Sequence, residues 1–205
     1  MYFCNSNTKL KIMKRVILLI SAIFLTSINS ISQEHVAINT ESSTVKWIGS
    51  KLTESHNGDI KIKSGKLILE NGRIIGGDVV IDMTTINTTD MSEKYNQKLN
   101  SHLNNEDFFY VEKFPISELK IISLENSGRS KYMIEADLTI KDITNRITFE
   151  ANINVKGKSY LATANLKIDR TKWDIKYKSG NFFTDLGDKA ILDEIEFDIF
   201  LLSVK

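Results

Sequence analysis

Cysteine, proline and histidine are scarce in this chain of 205 residues, which holds one Cys, one Pro and three His. The single cysteine, Cys4, precedes the chain's apolar run instead of following it, so it is not placed for lipid attachment. No other thiol is available for a disulfide or a nucleophile. No Gly-rich phosphate loop, no His-Glu-x-x-His and no Gly-x-Ser-x-Gly occurs. These absences remove the nucleotide, zinc-protease and serine-hydrolase chemistries that those motifs carry. Charge of one sign is also lacking: 27 Lys and Arg stand against 26 Asp and Glu, with no basic stripe. Nucleic-acid binding, which needs such a stripe, is not indicated. The longest apolar run, Val16 to Ile28, is 13 residues, short of the ~20 that a spanning helix needs.

That run has the layout of a secretory leader. Lys9, Lys11, Lys14 and Arg15 form a basic segment before it, and Ser30-Ile31-Ser32 supplies small residues after it. Residues 1–32 therefore read as a signal peptide, with Gln33 as the first mature residue and Met1 or Met13 as the start. Removing residues 1–32 takes away four basic residues and no acidic one, leaving 23 against 26, a net charge of −3. Residues 33–205 read as one domain, without linker or low-complexity segment.

What the chain has in quantity is alternation with period 2, the signature of half-buried strands. Ile134, Ala136, Leu138 and Ile140 alternate with mostly polar neighbours, as do Phe149, Ala151, Ile153 and Val155, then Ala162, Ala164, Leu166 and Ile168, then Ile195, Phe197, Ile199 and Leu201. Earlier segments at 45–50, 60–69, 74–83 and 115–124 bring the count to about eight. Successive antiparallel strands with one apolar face predict an all-β, eight-stranded antiparallel barrel, since closure removes exposed edges. One helix interrupts it over 91–104, with Asp90 and Glu93 as a capping box and Tyr95, Leu99 and Leu103 on one face. It is expected to cap a barrel end. Pro115 opens the next strand, where a missing N–H does least harm.

An eight-stranded barrel either fills its interior or holds one small ligand. The small residues Ala136, Ala151, Ala162 and Ala164 on inward positions favour a lumen with room in it. By strand parity and aromatic content, Trp47, Ile134, Leu138, Phe149, Ile153, Leu166, Trp173, Phe182 and Phe183 are the candidate lining. Phe108 and Phe109 read as core. Residues 169–194 combine turn-forming Gly180 and Gly187 with Trp173, Tyr177, Phe182 and Phe183. So aromatic a connection is expected to fold over one barrel end, and such loops often hold function. His56, Arg170 and Lys189 are candidates for the mouth, where they would meet a ligand's head group.

The alternatives are ordinary structural roles. His56 is also a plausible hydrogen-bonded turn residue, and Arg170 and Lys189 plausible partners of Asp169 or Asp188. His102 suits a helix C-terminus, and His35 sits in the mobile terminus beside the cleavage site. His56, His102 and Asp82 have no metal-site spacing, so no metal or cofactor is expected.

Six segments, taken in order, carry a resemblance to a known family. They are Ser43-Thr44-Val45-Lys46-Trp47, the strand Gly76 to Met83, His102-Leu103, the run Asp107 to Pro115, Leu138-Thr139-Ile140-Lys141, and residues 169–194. Over about 44–205 the chain resembles the YceI-like family. That resemblance implies a lipocalin-like barrel, a periplasmic location, and binding of a polyisoprenoid or other long-chain lipid, without catalysis. Two other readings remain open at this point: a lipid isomerase or cyclase using His56 or Asp169 as acid or base, and a packed, ligand-free barrel acting in stress or interaction.

Overall fold

The computed structural model describes residues 33–204; the leader read at 1–32 lies outside them. Nine strands and one helix follow in order. The strands are β1 (Gln33–Ala37), β2 (Thr44–Lys51), β3 (Ser55–Glu70) and β4 (Arg73–Thr88), then, after helix α1 (Glu93–Asn104), β5 (Ile116–Asn126), β6 (Lys131–Ile140), β7 (Ile143–Lys156), β8 (Ser159–Asp169) and β9 (Ile191–Val204). Every ladder is antiparallel. The order β3-β2-β9-β8-β7-β6-β5-β4 closes on itself through β3–β4, so eight strands make a barrel without a free edge at either end of the order.

The ninth strand was not legible from periodicity. β1 pairs with the far half of β3, Gln33 opposite Glu70 through Ala37 opposite Lys66, while β2 pairs with its near half, Val45 opposite Ile60 through Ser50 opposite Ser55. β2 also pairs with β9, and Ile38 bridges Ser203 of β9. β1 and β2 are thus two lengths of one stave lying between β3 and β9. His35 stands exposed on this stave, opposite Ile68, and not in a loose terminus.

The hairpins follow from local chemistry. Asn71 and Gly72, both at positive φ (50° and 76°), join β3 to β4, the two-residue turn that strand twist prefers. β3 and β4 are each 16 residues long and are bent by three register shifts, which lets long strands curve around a barrel. Gly58 is required by packing: a Cβ there would collide with the Asn87 carbonyl oxygen and lie 2.7 Å from Trp47 Cζ2.

Helix α1 begins one residue after Ser92, which makes no side-chain cap bond. The capping box expected from Asp90 and Glu93 does not form, because the helix starts later, with Ser92 as N-cap and Glu93 as its first residue, and Asp90 lies 3.1 Å from His56 instead. The helix is pinned to the barrel from its side: Asn100 Oδ1 accepts from both the backbone N–H and the hydroxyl of Thr88, at 2.8 and 2.7 Å. Leu103 is buried, Leu99 packs at the core's margin, and Tyr95 is exposed. The Pro115 carbonyl accepts from Met83 N–H at 3.0 Å, so the proline joins the sheet through the group it retains.

The main core lies at the helix-bearing end, where Val45, Trp47, Ile60, Leu103, Phe108 and Trp173 cluster. A smaller cluster of Ile134, Ala136, Ala151 and Ile153 sits further along the axis, and Val36, Leu69 and Tyr160 pack at the β1 end. All ladders and all three clusters fall within the compact unit that starts at Gln33. No helix among the described residues is long and apolar enough to cross a membrane.

Candidate ligand cavity

Between these clusters the lumen stays open. Its cavity volume is about 210 Å³. The room has a simple origin in sequence: Gly49, Ala151, Ala162 and Ala164 line the wall, contributed by three different strands. A barrel of this size would be full if those positions carried larger side chains.

Of the residues expected in the lumen, Trp47, Ile134, Leu138, Phe149, Ile153 and Leu166 do line it. Trp173 does not. It is 1% exposed within the main core, and its indole N–H donates to the Leu138 carbonyl at 3.1 Å. Phe182 and Phe183 are not brought to the lumen either; they lie about half exposed on the outer part of the 170–190 connection. The reason is that this connection divides. Its first half sinks Trp173 and Ile175 into the core and packs Tyr177 against it, whereas residues 180–185 and 187–189 are solvent-exposed. Alternation cannot place side chains in a segment that has none. Sequence reasoning missed Met83, Ile86, Leu103, Phe108 and Phe109 as lining. Their signal was apolar character next to the helix, which reads equally well as filled core.

The three residues assigned to the mouth are in three different situations. His56 is outside the lining, and its Nδ1 lies 3.1 Å from Asp90 Oδ2. Lys189 is exposed on a short 3-10 turn, Gly187–Lys189. Arg170 contributes to the cavity wall but is wholly buried. Its Nε donates to the Leu192 carbonyl at 3.1 Å, Nη1 to Ile175 at 2.5 Å and Nη2 to Ile191 at 3.0 Å. Asp193 Oδ1 is 3.3 Å from Nη2, and the Phe108 ring lies 5.7 Å from the guanidinium carbon. Burial lowers the Arg170 pKa, opposed by the charges of Asp193 and Asp169. Asp169 is occupied locally, accepting from Thr171 N–H and hydroxyl at 3.0 and 2.6 Å.

A neighbouring aromatic group joins the helix to the same connection. The His102 ring sits 4.6 Å from Tyr177 and 5.6 Å from Phe108, centre to centre. Burial lowers the His102 pKa; the Asp107 charge raises it and Lys178 lowers it further. His102 is thus held toward its neutral form.

The cavity wall is apolar over nearly all its area, and it has no organised polar constellation. Trp47 Nε1 and Ser117 Oγ are buried there without a hydrogen-bond partner, and Lys66 and Asp78, also of the wall, pair with each other at 3.4 Å. No group of three or more His, Cys, Asp or Glu among the described residues is arranged to hold a metal ion. At one place the wall is also the molecular surface. The β2–β9 ladder jumps from Gly49 opposite Ile195 to Lys51 opposite Ile191. Ser50 therefore faces three residues of β9, and the cavity lining there includes Gly49, Ser50, Ile191 and the exposed Leu192.

Comparison with known proteins supplies the family context. The YceI-like domain family matches residues 36–201. A UPF0312 protein of Photorhabdus laumondii is 29% identical over 89 residues, a match covering 43% of this chain and 45% of that protein. The chain thus spans less than half the length of that curated relative. Among solved structures, BcnA of Burkholderia cenocepacia superposes with a TM-score of 0.66 at 17% identity, over 80% of this chain and 98% of its own. A polyisoprenoid binding domain from Saccharophagus degradans, implicated in plant cell wall breakdown, gives 0.60 at 11%, over 85% and 99%. The YceI protein of Campylobacter jejuni gives 0.52 at 21%, over 65% and 74%. Identities this low establish the shared barrel and nothing finer.

Proposed function

The chain belongs to the YceI-like family, and from that premise we propose that its barrel binds and carries a long, apolar, isoprenoid-type lipid in the lumen. The observation that carries this reading is the cavity itself, enclosed by apolar side chains from across the barrel and kept open by Gly49, Ala151, Ala162 and Ala164. Such a wall rewards burial of hydrocarbon, at about 0.8 kcal/mol per CH₂. It offers a head group little, since the donors of Arg170 are taken by three carbonyls. The ligand is therefore selected by its chain, and its polar end stays at or beyond the mouth. A polyisoprenoid is what the Saccharophagus degradans relative is named for, and it fits these walls.

The reading is non-catalytic. His56, one acid or base that catalysis would use, is outside the lining, and Asp169, the other, is bonded to Thr171. The packed-barrel alternative requires a filled interior, and a lumen of about 210 Å³ speaks for the carrier. The leader-like residues 1–32 and the family membership support export to the periplasm, as a domain spanning 33–205.

Native mass spectrometry of the protein purified from a periplasmic extract of its host, followed by lipid extraction, tests both parts. The expected result is a mass beginning at Gln33 plus one apolar adduct that extracts as a prenyl lipid. A cytoplasmic protein refutes the export part, and an adduct-free protein that also fails to take up added prenyl lipid refutes carriage.

A further inference from the structure

Four of the ten large hydrophobic side chains that stand exposed among the described residues lie near the place where the cavity wall meets the surface. Leu52 is 64% exposed, Phe182 51%, Phe183 49% and Leu192 41%. They come from three separate segments, which the fold ties together. Lys51, next to Leu52, pairs with Ile191, next to Leu192. Ile191 N–H donates to the Lys178 carbonyl at 2.9 Å. Ser179 accepts from the N–H groups of both Phe182 and Phe183, at 3.1 and 3.0 Å, and its hydroxyl donates to Asp193 at 2.9 Å. Asn181 also donates to Asp193, at 2.7 Å. Backbone hydrogen bonds thus fix the turn that carries two neighbouring, half-exposed phenylalanines.

We propose that this patch docks on the surface of a lipid bilayer, and that the ligand passes between bilayer and lumen at the β2–β9 bulge beside it. The proposal rests on the carrier reading above, and three observations favour a bilayer as the occupant. First, the patch is continuous with the cavity, because Leu192 belongs to both. A chain too apolar for water must enter from an apolar phase, and a patch that brings the bulge to that phase removes the aqueous step. Second, the patch has an interfacial composition: aromatic and leucine side chains bordered by lysines, as at membrane–water boundaries. The Lys176 ammonium lies 5.1 Å from the Phe182 ring centre and that of Lys178 5.2 Å from Tyr177. The Lys176 cation can then remain among phosphates while the exposed Phe182 ring enters the acyl boundary, and Lys178 adds a second cation beside the core-packed Tyr177. Third, the bulge gives an opening at the right place. With Ser50 alone facing Leu192, Asp193 and Glu194, the β2–β9 ladder is interrupted there and only there.

The test uses residues 33–205, which contain every ladder and core of the barrel, and vesicles of phosphatidylcholine with a minority of phosphatidylglycerol. Co-sedimentation measures docking without any ligand. Titration with a dansyl-labelled farnesyl chain delivered from ethanol measures the lumen without any membrane. The protein is expected to partition onto vesicles. The double substitution Phe182→Asp, Phe183→Asp should lower that partition at least roughly tenfold, with the farnesyl titration unchanged, which also shows that the barrel is folded. Val155→Asp is the control, an equally exposed side chain (57%) near the β7–β8 turn at the other end of the barrel. Docking is overturned if the unsubstituted protein stays in the supernatant, if the double variant partitions as well as it does, or if Val155→Asp loses as much. Vesicle binding with no farnesyl uptake supports docking and removes carriage, so the two failures are distinct.

Discussion

Replacing Arg170 with Met separates the structural role of this residue from a head-group role. Methionine keeps the length and apolar stem but removes every donor. Three carbonyls, those of Leu192, Ile175 and Ile191, lose a charged partner, and Asp193 loses the cation 3.3 Å away. Each abandoned buried acceptor costs about 1–3 kcal/mol, and removing one member of a buried ion pair costs about 3–5 kcal/mol. These terms overlap, because the Asp193 carboxylate keeps its bonds from Ser179 and Asn181. A net loss of about 3–5 kcal/mol is expected. For a domain of this size, with Tm moving roughly 2–4 °C per kcal/mol, that is a fall of about 6–20 °C. Urea unfolding followed by the fluorescence of buried Trp173 gives the free energy, and calorimetry gives Tm. Affinities for a diphosphate-headed prenyl chain and for a neutral quinone with the same tail complete the assay. Both ligands should weaken together, in step with stability. Asp193→Asn should cost less, and less still when Arg170 is already Met, because the pair acts as a unit. A loss below about 1 kcal/mol, or a weakening confined to the diphosphate with stability intact, would refute the structural assignment.

Two further outcomes follow from the cavity and its closure. Ala151→Phe or Ala164→Phe places a ring in a wall that is open because those side chains are small; ligand uptake should be abolished while the barrel stays folded, and unchanged lipid retention in both variants would remove the axial cavity as the binding site. The other concerns pH. His102 is depressed in the folded state, so its contribution to stability is full above the unfolded value of about 6.5 and is lost as pH falls through the lower folded value. The urea midpoint should drop between pH 7 and 5, and His102→Phe should flatten that dependence; an equal slope in the variant refutes the assignment.

Much of the barrel was legible from alternation, because period 2 is a property of each strand by itself. Ile134, Leu138, Phe149, Ile153 and Leu166 could be placed on the inner face without any tertiary information, and the alanines among them announced the space. Two things were beyond that signal. One is pairing: β1 is five residues long and has no extended pattern, and only its ladder with β3 shows that it completes a stave with β2. The other is the connection after β8. Its residue types predicted a packed, aromatic segment, but not which aromatics pack. Trp173 is buried and Phe182 and Phe183 are exposed because Arg170 and Asp193 anchor its first and last residues to β9 carbonyls and to Ser179, contacts between residues up to 22 positions apart. The sequence by itself determined the faces of the strands, since alternation is local. The tertiary structure decided the roles of Arg170, His56 and Asp90, since a charged or polar side chain takes its function from the partner it meets, and those partners lie on other elements.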